Sequence, residues 1–153
     1  MKKKIVQIYY DKTGNRDLAL SVINNSRTRR TIVDNTLDCL IVHSARLFDL
    51  SIVFNPLADA QVVIYADERA MQALQGRYPV DLLKKINENS YGTKFPDYAM
   101  AVKTVDSIEE ALEHISRYGL CHIEGIISAD ANNIELFKNS VASDAVTVNV
   151  FTL

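Results

Sequence analysis

The chain has 153 residues, of which 48% are hydrophobic and 24% charged, a composition that suits one globular domain. Its 17 basic and 19 acidic side chains leave a net charge of -2, which gives no electrostatic reason to expect nucleic acid or a membrane as partner. No apolar run approaches the roughly 18–20 residues of a membrane span. Two cysteines are too few for a disulfide scaffold, so we expect a cytoplasmic protein.

Short β-rich runs alternate with amphipathic stretches in the first half of the chain. The pattern predicts strands over residues 5–10 and 37–43, with a helix beginning at Arg16 between them. Residues 45–57 are ambiguous, because their apolar positions suit a helix that ends near Pro56.

The second half gives clearer signals, above all two helix starts. Asp67 is a candidate cap for a helix that reaches Leu74, and Ser107 with Glu110 forms a capping box for a helix that ends at Gly119. The remaining predictions are strands at 61–65, 98–105, 122–127 and 145–152, and helices at 80–87 and 130–140. This order predicts an α/β fold in which a single layer of largely parallel sheet is flanked by helices.

No residue cluster by itself identifies an active site. Cys121, His122 and Glu124 lie close together, but alternation along a strand sends the first two to opposite faces, and no metal-ligand spacing supports them. The basic run at 27–30 can bind an anion or simply be solvated at a helix end. We expect His114 to be a solvated residue on a surface helix.

Three segments, taken together and in order, carry a resemblance to a known family. They are residues 30–43, residues 98–127 and residues 142–152. They resemble the catalytic domain of gamma-glutamyl phosphate reductase (glutamate-5-semialdehyde dehydrogenase), a member of the aldehyde dehydrogenase superfamily. The resemblance implies an aldehyde dehydrogenase catalytic-domain-like fold over residues 1–153, with the NAD(P)-binding domain absent.

The same resemblance places an unexpected residue at the nucleophile position. In the family, a cysteine thiolate attacks the acyl carbon of gamma-glutamyl phosphate, and hydride from NADPH reduces the thioester. The matching position here is Asp34, whose carboxylate is a poor nucleophile. Cys39 lies five residues later inside a strand pattern, which is typical of a buried structural cysteine. We therefore expect the chain to be inactive by itself.

A second departure concerns the cofactor. Many aldehyde dehydrogenases hold the nicotinamide ribose with a glutamate that precedes an aromatic residue, and the corresponding place here is Lys94-Phe95. Together with the expected absence of the NADP domain, this predicts that the chain takes no cofactor. No metal site is expected.

Some features of the family's substrate side remain. Arg30, Asn35, His122 and Glu124 match positions near it, so a small carboxylate or phosphate is a possible ligand, with Arg30 as the charge-assisted donor. The alternative is structural: Asn35 can simply hydrogen-bond its own turn.

Three functions stay open at this stage. The first is a catalytically silent domain, a pseudoenzyme, that associates with itself as a homo-oligomer or with a partner protein. Its motivation is that the run 146–151 can present an unpaired strand edge. The second is one half of a split oxidoreductase of proline biosynthesis. The third is a binding module for a small carboxylate or phosphate.

Overall fold

A computed structural model describes residues 5–28, 37–93, 95, 98–118, 123–141 and 145–149. In this part of the chain, seven strands form one sheet in which every pair of neighbours is parallel. The strands are β1 (Val6–Tyr10), β2 (Cys39–His43), β3 (Val63–Ala66), β4 (Leu83–Lys85), β5 (Ala99–Val105), β6 (Ile123–Ile127) and β7 (Ala145–Val148). Their order is β4-β3-β5-β2-β1-β6-β7, which confirms the predicted parallel α/β sheet.

Six α-helices connect the strands within the described residues. They are α1 (Arg16–Thr28), α2 (Leu50–Val53), α3 (Asn55–Asp59), α4 (Glu68–Leu74), α5 (Ile108–Tyr118) and α6 (Ala131–Ser140). The predicted caps are confirmed, since Asp67 accepts from the Ala70 amide at 3.0 Å and the Ser107 hydroxyl accepts from the Glu110 amide at 3.2 Å. Gly119, the expected end of α5, lies outside the described residues.

Two hydrophobic cores lie on opposite faces of the sheet, as strand alternation requires. On one face, Ile8, Leu40 and Val102 pack with helices α1 to α4. On the other face, Tyr9 and Ile41 pack with α5 and α6. The sheet is therefore covered on both sides, which is typical of parallel sheets.

In the loop-rich parts of the chain, one prediction was wrong and one ambiguous stretch is resolved. The helix expected over 80–87 is a short 3-10 turn followed by β4, which pairs with β3 through Ile64 and Leu83. The ambiguous stretch at 45–57 contains α2, which ends at Val53, and the start of α3. Pro56 lies in the first turn of α3, a position where its missing N–H costs nothing.

The last strand is shorter than predicted in the part that can be described. β7 ends at Val148, and residues 150–153 lie outside the described residues. Among the described helices, none has the length and apolar character needed to cross a bilayer.

Candidate functional site

Most of the site residues predicted from the sequence fall outside the described residues. Arg30, Asp34, Asn35, Lys94 and His122 are in this group, so their predicted roles stay predictions. Glu124 is described. It lies near the amino-terminal ends of the central strands β1, β2 and β6. We take these strand ends as the candidate site, because the segment that contains Asp34 leads directly into β2.

Glu124 is the second residue of β6 and is fully buried. Gln7, its register partner on β1, donates from Nε2 to Glu124 Oε2 at 3.5 Å. Gln7 is also fully buried, and its Oε1 has no hydrogen-bond partner within the described residues. The side chain of Glu124 is thus held inside the fold, and its predicted role in ligand binding remains a prediction.

Asp38 ties the strand ends together, and sequence reasoning did not single it out. One carboxylate oxygen accepts from the Val6 amide at 3.0 Å and the other accepts from the Phe95 amide at 2.9 Å. The ring of Phe95 in turn stacks on Tyr65, with the centroids 5.4 Å apart. Because Asp38 is fully buried, these hydrogen bonds fix the start of β2, which follows the segment containing Asp34 in the sequence.

The same region includes Phe95, which follows the position predicted to replace the family's ribose-binding glutamate. The amide of Phe95 is used by Asp38 and its ring by Tyr65, and the neighbouring Lys94 is a cation where the family has a ribose-binding carboxylate. The predicted absence of a cofactor stays a prediction, because Lys94 lies outside the described residues. The described residues contain no group of three His, Cys, Asp or Glu side chains placed to hold a metal ion.

Cys39 is the free thiol nearest in sequence to the Asp34 position, and it is fully buried. It lies in one row across the sheet with Gln7 and Glu124. Burial, reinforced by the nearby carboxylates of Asp38, Asp67 and Glu124, raises the pKa of the thiol far above its usual range. The prediction of a structural cysteine is confirmed, and the sulfur cannot serve as an accessible thiolate.

His114 is also buried, so the prediction that it is solvated was wrong. Its Nε2 lies 3.8 Å from Cys39 Sγ, and its ring packs against Tyr91 and Tyr118 with centroids 4.9 and 4.7 Å away. Burial, with help from the positive charges of Lys103 and Arg117, lowers the pKa of His114 to about 3. The imidazole is therefore neutral at ordinary pH.

A different set of polar residues gathers at the carboxyl-terminal ends of β1 and β6. The buried carboxylate of Asp11 accepts from Ser128 Oγ at 2.7 Å, Thr13 Oγ1 at 3.0 Å, Asn133 Nδ2 at 3.2 Å and Tyr9 OH at 3.0 Å. Burial alone would raise the pKa of Asp11, but these donors outweigh it and lower the pKa. All its acceptor positions are engaged, so we interpret Asp11 as a structural hub.

Comparison with known proteins tests the resemblance directly. No family model matches the chain. It is 46% identical over 148 residues to the gamma-glutamyl phosphate reductase of Parabacteroides distasonis, a match that covers 97% of this chain and 36% of the relative. The chain thus spans about a third of the length of the curated relatives that it matches.

Solved structures agree with this finding. The crystal structure of gamma-glutamyl phosphate reductase from Thermotoga maritima superposes with a TM-score of 0.88 at 25% identity, covering 96% of this chain and 34% of that one. An acetylating aldehyde dehydrogenase from Geobacillus thermoglucosidasius shares the fold, with a TM-score of 0.68 at 16% identity over 98% of this chain and 41% of its own. The resemblance to a segment of gamma-glutamyl phosphate reductase, and the aldehyde dehydrogenase-like fold, are confirmed.

Proposed function

We propose, from the homology of this chain to a segment of gamma-glutamyl phosphate reductase, that it is a non-catalytic, cytoplasmic form of that domain and acts by association. The observation that carries the proposal is the state of the thiol. Where the relatives' family uses a cysteine, the sequence has Asp34, and Cys39 is buried and protonated. No residue of the described site offers the sulfur nucleophile that the reduction needs.

A carboxylate at position 34 does not replace the thiolate. It is a weaker nucleophile, and its attack on an acyl phosphate would give an anhydride, which water hydrolyses, rather than a thioester poised for hydride transfer. The substitution therefore removes the acyl-transfer step. The same reasoning weighs against the alternative of a split oxidoreductase completed by a separate NADP-binding chain, which would still lack the nucleophile.

The two edges of the sheet differ in a way that supports association at one of them. β4 is three residues long and carries exposed Lys84 and Lys85, a charge pattern that protects an edge from pairing. β7 has the sequence Ala-Val-Thr-Val and no charge. We therefore assign β7 as the associating edge, and a second copy of the chain as its simplest partner.

The backbone of β7 shows which groups a partner strand would contact. The Asn149 amide donates to the Ile126 carbonyl at 2.8 Å, so the main-chain groups of Asn149 and Thr147 point toward β6. Because these groups alternate along a strand, those of Val146 and Val148 point outward. A partner strand would hydrogen-bond to these two residues.

Light scattering coupled to size-exclusion chromatography tests the association, with Val148→Pro and Val148→Ala as a matched pair. Both variants lose the packing of the valine side chain, but only proline removes the outward N–H. We expect the wild-type chain and Val148→Ala to form dimers, and Val148→Pro to be a monomer. A dissociation constant of about 100 µM corresponds to a weak but specific contact. A wild-type chain that is monomeric at about 100 µM would therefore contradict the proposal.

A further inference from the structure

A small open pocket lies between α5, β5 and the turn at 88–91, on the sheet face that α5 covers. Its volume is about 170 Å³, below the range of drug-sized ligand sites, so it admits only a small molecule. The proposed function does not use this pocket. The lining residues are Glu88, Tyr91, Lys103, Val105, Glu110, Glu113, His114, Arg117 and Tyr118.

The floor of the pocket is aromatic and rigid. Tyr91 and His114 are almost fully buried, and Tyr118 packs on both, with ring centroids 5.7 Å from Tyr91 and 4.7 Å from His114. The Tyr91 hydroxyl donates to the Val102 carbonyl at 3.1 Å, which holds its ring in place. Since His114 is neutral, the floor carries no charge and suits an apolar group.

Lys103 brings a positive charge to this floor. It is half-buried on β5, with Nζ 5.7 Å from the centre of the Tyr91 ring, and no carboxylate of the described residues lies within ion-pair distance of it. A lysine that is half withdrawn from water and has no ion-pair partner is a ready donor for a carboxylate.

The rim carries the opposite charge. Glu113 is paired with Arg117 at 3.6 Å, but Glu88 and Glu110 are exposed and form no ion pair with a described residue. These two carboxylates disfavour a dianion such as phosphate and favour an ammonium group. One pocket thus offers a cation inside, two anions at its mouth and an apolar floor.

The geometry points to this pocket as a binding site for a free apolar α-amino acid, its carboxylate on Lys103, its ammonium group at Glu88 and Glu110, and its side chain on the Tyr91–His114–Tyr118 floor. A zwitterion satisfies both signs of charge at once, whereas a plain carboxylate or a plain amine meets repulsion from one of them. The site is small, which limits the side chain to a compact one.

Isothermal titration calorimetry with three matched probes tests the assignment. L-Leucine carries both charges, 4-methylpentanoate lacks the ammonium group, and 3-methylbutylamine lacks the carboxylate. We expect saturable binding of L-leucine, and binding at least about tenfold weaker for each of the other two probes, as expected when one charge-assisted contact is lost. Equal binding of all three probes, or no saturable binding of L-leucine, would overturn the assignment.

Two variants with matched controls locate the site. Lys103→Met keeps the aliphatic stem and should weaken L-leucine binding at least about tenfold. Its control is Lys138→Met, at an exposed lysine on α6, which should leave binding unchanged.

Glu110→Gln should also weaken L-leucine binding. Its control is Glu109→Gln, at the neighbouring residue, which does not line the pocket, and this variant should leave binding unchanged. Because Glu110 is exposed, its variant tests the site even if Lys103→Met does not fold. Unchanged binding in Glu110→Gln would refute the proposed ammonium contact.

Discussion

The environment of Cys39 decides whether this chain has a usable thiol near the predicted nucleophile position. The side chain is fully buried, and its pKa is raised by burial and by the surrounding carboxylates. In a Cys121→Ser variant, which leaves Cys39 as the one remaining cysteine, we expect no reaction with a thiol reagent in the folded state and complete reaction in denaturant. Rapid labelling without denaturant would show an accessible thiolate and reopen the catalytic interpretation.

His114 should make the stability of the fold depend on pH. Its pKa is about 3 in the folded chain and about 6.5 when unfolded, so between these values the unfolded state binds the extra proton. The contribution of the buried, neutral imidazole to the free energy of unfolding is therefore fully present above about pH 6.5. It is lost as the pH falls toward 3. From His114 alone, we expect the free energy of unfolding to fall by about 2 kcal/mol between pH 7 and pH 5.

Urea unfolding of the wild type and of His114→Phe at several pH values isolates this effect. Phenylalanine fills the aromatic cluster without titrating, so the stability of the variant relative to the wild type should rise by about 2 kcal/mol as the pH falls from 7 to 5. A difference that stays constant over that range would mean that His114 is protonated as easily in the fold as in the unfolded chain.

At the scale of elements, Asp11 links the ends of β1 and β6 with the loop before α1 and with helix α6. Its carboxylate accepts hydrogen bonds from Tyr9, Thr13, Ser128 and Asn133. Asp11→Ala leaves the buried hydroxyls of Tyr9 and Ser128 without this acceptor, and we expect it to lower the free energy of unfolding by about 3 kcal/mol. Asp81→Ala, at an exposed position with no such contacts, should change it by less than about 0.5 kcal/mol. Equal effects in chemical denaturation would refute the role of Asp11 as a hub.

The elements that sequence reasoning predicted well are those with local signals. Helices α4 and α5 begin where the capping residues Asp67 and Ser107 indicate, because a cap acts on amides only two or three residues away. β4 was missed because its short Leu-Lys-Lys sequence has no strand pattern and is a strand only through its pairing with β3.

At the scale of the whole molecule, the order of the strands and the contacts of the buried polar residues join segments that are distant in sequence. Asp38 bonds to Val6 and to Phe95, 32 and 57 residues away, and His114 is buried by Tyr91 from another segment. Neither could be predicted from local pattern. The family resemblance did supply the Asp34 position, but only as an alignment of residues and without geometry.

We propose that Asp34 removes the acyl-transfer chemistry from a domain whose fold is otherwise preserved. A chimera tests it: this chain replaces the matching segment of the Parabacteroides distasonis reductase, to which it is 46% identical, once with Asp34 and once with Asp34→Cys. The assay is NADP reduction with glutamate-5-semialdehyde and phosphate. We predict no turnover with Asp34 and measurable turnover with Asp34→Cys, whereas turnover by the Asp34 chimera itself would contradict the account.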